Sequence, residues 1–125
     1  MRDEQHFERL EKMVYDNDLE AFKQEFESGT DVNLQNRYGW TPLHIAIRRD
    51  RRDMVAYLLE HGADIDKVDD VGWTPLMEAV MDDMPELCAF LIEKGADVTI
   101  ANKRGGTAAM LVQKFGRESM AKYFK

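Results

Sequence analysis

The apolar residues of this chain fall in paired bursts, separated by polar stretches that carry glycine. In MVAYLL, Met54, Val55, Leu58 and Leu59 recur at helical spacing, and Leu87, Cys88, Leu91 and Ile92 do the same in LCAFLI. Each burst is preceded by a shorter one that begins with Thr-Pro. Thr41–Pro42 and Thr74–Pro75 place a hydroxyl where a helix is capped and a proline at the first helical residue. The pattern predicts a short helix to about Arg49 in one stretch and to Met81 in the next, each followed by a second helix. Asp50 and Asp83 fall at the intervening turn, where a left-handed residue is expected, and Gly116 stands at the same place further on. Gly62 and Gly95 close the second helices. The segment from Asp64 to Trp73 then returns as an extended, hairpin-like finger, with Asp69 and Gly72 three apart at its turn.

The whole pattern repeats after 33 residues. That shift aligns Gly39, Gly72 and Gly105, then Thr41, Thr74 and Thr107, and later Gly29, Gly62 and Gly95, followed by Asp31, Asp64 and Asp97. Matches at so many positions, with no insertion, indicate a stacked repeat. The T-P-L-H-x-A run from Thr41 to Ala46, followed by YLLEHGADID and FLIEKGADVT, resembles the ankyrin repeat over nearly the whole chain. The resemblance implies an all-α solenoid of stacked helix-turn-helix units with β-hairpin-like fingers. It divides one domain, 1–125, into units 1–33, 34–66, 67–99 and 100–125.

The ends depart from the pattern as the ends of a stack must. Unit one has His6, Phe7, Glu8 and Arg9 where G-x-T-P is expected, and the last unit replaces proline by Ala108 and leucine by Ala109. These read as an N-cap and a C-cap around two full repeats, because a terminal unit has one neighbour and needs a polar outer face.

Charge adds a second pattern. The chain of 125 residues carries −7 overall, and the four units carry about −6, 0, −6 and +5. That balance argues against a general nucleic-acid binder, whose affinity rests on neutralising phosphates. No apolar run approaches a membrane span, and the opening MRDEQHFERLEKM is acidic and amphipathic, unlike a secretory or transit peptide. A single cysteine leaves no intramolecular disulfide to form, so a cytoplasmic setting is expected, with the chain alone as a monomer.

Candidate chemistry is sparse. Cys88 lies on an apolar helical face with no histidine in its own repeat, and reads as a core residue rather than a nucleophile. His44, at the fourth place of TPLH, is expected to bond backbone of an adjacent repeat, as the resemblance implies. His61 precedes a terminating glycine and is expected to act on the helix end. The three histidines are not at ligand spacing, and the glycines belong to turns rather than to phosphate loops. No enzyme activity, metal or cofactor is expected.

Two features exceed what the fold requires. The basic run RRDRR, Arg48 to Arg52, falls over Asp16 and Asp18 and under Asp82 and Asp83 when units are superposed. For Arg51 and Arg52 we favour a ladder of exposed ion pairs between units. Arg48 and Arg49 stand open between that ladder and contact with a partner. Trp40 and Trp73 occupy a place the fold does not prescribe, flanked by Tyr38 and Val71, whereas Gly106 leaves the third step bare. The indoles read mainly as glue between repeats, with an edge left for binding.

Ankyrin arrays recognise proteins on a concave face made by fingers and first helices. Carried onto this chain, the resemblance assigns that face Arg37, Tyr38 and Trp40 on the second unit's finger, and Arg48 and Arg49 on its first helix. Asp70, Val71, Trp73, Glu78, Met81 and Asp82 follow in the third unit, and Lys103 and Arg104 in the last. The expected partner is another protein, such as a toxin or enzyme with a basic surface, and not nucleic acid or membrane. With no other domain in the sequence, an inhibitor or antidote is the leading expectation, similar to small acidic immunity proteins of bacteria. An adaptor joining two partners, one of them on the basic C-cap with Lys114 and Arg117, is the alternative.

Overall fold

A computed structural model describes residues 2–124. Four first helices, α1 (Glu4–Tyr15), α3 (Pro42–Arg48), α5 (Pro75–Met81) and α7 (Ala108–Lys114), alternate with four second helices. The second helices are α2 (Leu19–Glu27), α4 (Arg52–Glu60), α6 (Pro85–Glu93) and α8 (Glu118–Ala121), the last followed by a 3-10 turn, Lys122–Phe124. First helices stack in one row, α1 on α3 on α5 on α7. In the second row α2 packs on α4 and α6 on α8.

The caps explain where the first helices begin. The hydroxyls of Thr41, Thr74 and Thr107 accept from the backbone N–H three residues on, at 3.2, 3.1 and 3.3 Å. At the far end Asn17, Asp50, Asp83 and Gly116 all adopt φ between 55° and 65°. Asn17 extends to the first unit the left-handed turn expected at the other three.

Unit one begins differently. Asp3 occupies the register place of Asn36, Asp69 and Asn102, but it caps α1 by accepting from the His6 N–H at 3.1 Å. Those three residues instead make finger turns. Each side-chain oxygen accepts two backbone N–H groups: Tyr38 and Trp40 on Asn36, Val71 and Trp73 on Asp69, Arg104 and Gly106 on Asn102, all at 2.9–3.0 Å. With His6 in place of the turn glycine, the first unit continues as helix, and α1 gains almost a turn and a half over α3.

Successive fingers join through backbone. Asp70 N–H donates to the Tyr38 carbonyl at 3.0 Å, and Lys103 N–H to that of Val71 at 3.1 Å. This close approach is why glycine precedes each tryptophan. A Cβ on Gly39 would meet the Asp70 nitrogen at 2.8 Å, and one on Gly72 the Lys103 nitrogen at 2.9 Å. The fingers are therefore turns tied side by side. Among the described residues the one β-bridge is isolated, between Arg2 and Gln35.

The core runs along the stack between the two helix rows. Phe7, Leu10, Phe22, Leu43, Ile47, Met54, Leu58, Leu76 and Leu91 are sealed within it. Each such side chain contributes about 1.5–3 kcal/mol by leaving water. Residues 42–47 are buried all round, because α3 has a helix row on one side and neighbours above and below. Only the C-terminal turn of each inner first helix reaches the open face.

His44 joins units two and three. Its Nδ1 accepts from the Thr41 N–H at 3.2 Å, which leaves Nε2 to donate to the Trp73 carbonyl at 3.0 Å. Burial pushes its pKa down, so the neutral ring this pairing needs is the favoured form.

Candidate partner-binding surface

Three hollows lie along the open face, two between successive first helices and the third between the fingers of the last two units and α7. The first is lined by Glu11, Tyr15, Ile45, Arg48 and Arg49, among others. The second is lined by Arg48, Asp69, Val71, Trp73, Glu78 and Met81. Val71 and Trp73 also border the third, with Lys103, Arg104 and the exposed side of α7. Shared walls make one furrow, from the acidic first unit to the basic last one.

Within this furrow the expected residues divide by how firmly the chain itself holds them. Trp40 is partly buried. The guanidinium of Arg48 lies 4.2 Å from its ring centroid, and the Tyr38 ring 5.1 Å away. Arg48 also pairs with Glu78 at 2.9 Å, spanning units two and three. Arg37 pairs with Glu4 at 3.3 Å, and the Asp70 carboxylate is paired with Arg2, which holds its pKa below the ordinary value. Arg49 stacks over Tyr15, 4.9 Å from that ring. Among the described residues no ion pair takes in Lys103, Arg104 or Lys114.

Glu78 and Asp82 behave as one acidic unit. Burial pushes Asp82 up to about 7, helped by its hydrogen bond to Glu78 and by that neighbour's charge. Burial acts on Glu78 in the same direction, but hydrogen bonds from Asp82 and Arg48 outweigh it and hold Glu78 low. Of the two carboxyls, Asp82 is the one that favours holding a proton.

The ladder of ion pairs expected across Arg51 and Arg52 forms only in part. Arg52 does bridge, reaching Asp50 at 3.2 Å and Glu86 at 2.8 Å. Among the described residues Arg51 pairs with no carboxylate. Its Nε and Nη2 donate to the carbonyls of Val14 and Tyr15, both at 2.8 Å. Arg117 repeats this two units later on Val80 and Met81, at 3.2 and 2.9 Å. The physical reason is the position just before a second helix, which aims the side chain at the preceding first helix. The last carbonyls of a helix have spare accepting capacity, Val14 and Val80 taking turn N–H groups from Asn17 and Asp83 at 3.1 Å, and a guanidinium fork reaches two of them. Of the carboxylates expected beneath it, Asp16 is taken by Lys12 at 2.9 Å and Asp18 caps α2, accepting from the Ala21 N–H at 3.2 Å.

Cys88 is sealed in the core, and burial pushes its thiol up to about 12, the reverse of what a nucleophile needs. His61 accepts its expected place, its Nδ1 2.8 Å from the Tyr57 carbonyl in the last turn of α4. No group of three or more metal-ligating side chains gathers among the described residues. Nor is any helix there long and apolar enough to cross a membrane. Sequence reasoning missed Glu11 and Tyr15 on the furrow. The signal was available, since Tyr15 stands 33 residues before Arg48, but the first unit's altered opening hid it.

Stacked helical hairpins with an open furrow define a repeat-built recognition scaffold, and residues 10–102 match the family model for ankyrin repeats in three copies. The chain belongs to the ankyrin-repeat family, whose members serve as modules for binding other proteins. It is 43% identical over 53 residues to the human 2-5A-dependent ribonuclease, covering 42% of this chain and 7% of that one. It is 42% identical over 50 residues to the zebrafish (Danio rerio) Notch-regulated ankyrin repeat-containing protein A, covering 40% of this chain and 45% of the relative. The mouse ankyrin repeat domain-containing protein 40 is 43% identical over 54 residues, 42% of this chain and 15% of its own length. The chain thus spans less than half the length of each of these relatives.

Proposed function

We propose that this chain occludes a partner protein through the furrow, acting as an inhibitor or antidote in the manner of an immunity protein. The observation that carries the reading is the exposure of large side chains along the finger tips. Tyr38 is 52% and Val71 54% exposed, beside partly exposed Trp40 and Trp73, and the turns themselves require only the glycine and the Asn or Asp. Aromatic and apolar side chains so placed are the material of binding hot spots. The first unit, at about −6, suits a basic region of the partner. The buried, unreactive Cys88 is in keeping with a reducing, cytoplasmic setting.

The test is capture of the partner from the native source with the purified chain, followed by assay of the partner's own activity. A one-to-one complex in which that activity falls supports inhibition. Tyr38→Ala with Trp73→Ala weakens the complex by about 2 kcal/mol or more. Unchanged binding by that folded double variant rejects the furrow. A second reading, an adaptor, draws on the opposite charges of the first and last units. It requires a ternary complex in which two captured proteins bind at once.

A further inference from the structure

One register position holds Trp40, Trp73 and then Gly106. At the first step the indole is covered by the chain itself, through Arg48 and Tyr38. At the last step there is no ring, and the space beside Trp73 is a cavity of about 570 Å³. The hollow at the preceding step is about 200 Å³, so the furrow opens where the third indole is missing. The walls are apolar: Val71, Trp73, Met110, Leu111 and Phe115. Met110 is 55% and Phe115 43% exposed, because no further unit stacks on this side of α7 among the described residues. Lys103, Arg104 and Lys114 add positive charge to the lining, in a unit of +5 within a chain of −7.

We propose that this hollow receives a bulky apolar side chain, aromatic by preference, from an acidic segment of a partner protein. The inserted ring takes the place of the third indole against Trp73, and flanking carboxylates answer Lys103, Arg104 and Lys114. This deepens the furrow reading and rests on it. Clustered exposed apolar side chains mark interaction sites, and a cationic rim sets the sign of what approaches. Nucleic acid fits less well, since three cations beside a unit of about −6 make a poor phosphate track and leave the apolar walls unused. A second copy of this chain is the other candidate occupant, offering exposed Tyr15 with Glu11 and Asp16 nearby.

The chain offers its own blocking variant. Gly106 lies outside the left-handed region, and a Cβ there meets only the end of the Asn102 side chain, at 3.3 Å. Gly106→Trp therefore copies the arrangement of the two steps before it and fills the hollow from within. Met110→Glu, at an exposed position, blocks and repels without touching the core. The probe is a fluorescein-labelled peptide with one tryptophan between pairs of glutamates. Its controls carry alanine for the tryptophan or lysines for the glutamates.

Fluorescence polarisation with the full chain is expected to show saturable binding below about 1 mM, weakened about tenfold or more for either control peptide. Gly106→Trp and Met110→Glu weaken it comparably, with thermal unfolding measured alongside to show that both remain folded. Absence of saturable binding, or equal binding by folded Met110→Glu, overturns the proposal. So does sedimentation showing self-association that Gly106→Trp abolishes, which makes the occupant a second copy. With the captured native partner the two readings separate. If Tyr38→Ala and Arg49→Ala weaken the complex and Met110→Glu does not, the furrow stands and the hollow falls. If none of them matters, the furrow itself falls.

Discussion

Asp82 lies one helical turn beyond Glu78, at the C-cap of α5, and the two carboxyls share a hydrogen bond on the side of the helix that Arg48 reaches. The pair has a definite consequence for pH. Asp82 is raised from 3.8 to about 7 in the fold, so its share of stability is whole below the unfolded value and is lost as pH rises through the folded one. Glu78, held low, contributes in the opposite sense, its share present above 4.5 and lost on acidification.

The share of stability that belongs to Asp82 is therefore expected to fall by about 1 kcal/mol as pH rises from 3.8 through about 7, a figure already reduced for the water that reaches the carboxyl. Asp82→Asn keeps a donor toward Glu78 and removes that titration, so its stability relative to the parent should rise by the same amount over that range. Urea unfolding at several pH values checks this. Parallel pH profiles in the two proteins would place the shared proton elsewhere.

His44→Ala removes the link between the cap of α3 and the Trp73 carbonyl and opens space in the core. The expected loss is about 2–4 kcal/mol, from the unpaired backbone groups and the void together. Because the folded pKa is depressed, the native ring's contribution is present above 6.5 and lost as pH falls below that value. The variant should lack that acid-side decline, which chemical unfolding will show.

Arg51→Ala and Arg117→Ala should each cost about 1–2 kcal/mol by removing the guanidinium donors from two helix-end carbonyls, of which Val14 and Val80 keep a backbone N–H from Asn17 and Asp83. The clasps join different pairs of units, so the double variant should show the sum. Lysine should restore little at either site, since an ammonium cannot bridge two successive carbonyls as the fork does. A full rescue by lysine, measured as denaturation midpoint, would reduce the interaction to charge alone.

The finger glycines can be separated from the helix-ending ones. Gly29 has a positive φ with nothing near a Cβ, so Gly29→Ala should cost about 1 kcal/mol of backbone strain. Gly72→Ala adds a collision with the Lys103 backbone nitrogen at 2.9 Å, and should cost about 1–3 kcal/mol more. Thermal unfolding of the two variants side by side decides between strain and crowding.

The repeat, its helices and its caps were legible because each rests on local chemistry. Thr before Pro, a polar residue at a left-handed turn, and apolar spacing all act within a few residues. His44 was legible through the family pattern as well. The partners of long side chains were not. Superposing units by 33 residues aligns backbones, and it put carboxylates near Arg51. It gave no view of the helix end toward which that side chain points. The opening of the first unit was not legible either: the same residue chemistry serves a turn when glycine follows, as at Asp69, and a helix cap when His6 does, as at Asp3. The proton shared by Glu78 and Asp82 depends on burial at the mouth of the furrow, which periodicity does not report.

The position held by Arg51 and Arg117 falls to Met84 in the third unit, so the central seam is fastened otherwise. Besides the core, the His44 bond, the finger ladder and the bonds of Gln35 to the Val68 carbonyl and of the Asp97 N–H to Asp66, it uses Arg48 with Glu78 and exposed Arg52 with Glu86. Strong brine shortens the reach of charge from about 8 Å to about 3 Å and leaves neutral backbone acceptors nearly untouched. Rising ionic strength should thus loosen the molecule from its waist outward, with amide exchange quickening in α4 and α6 before it does at α1.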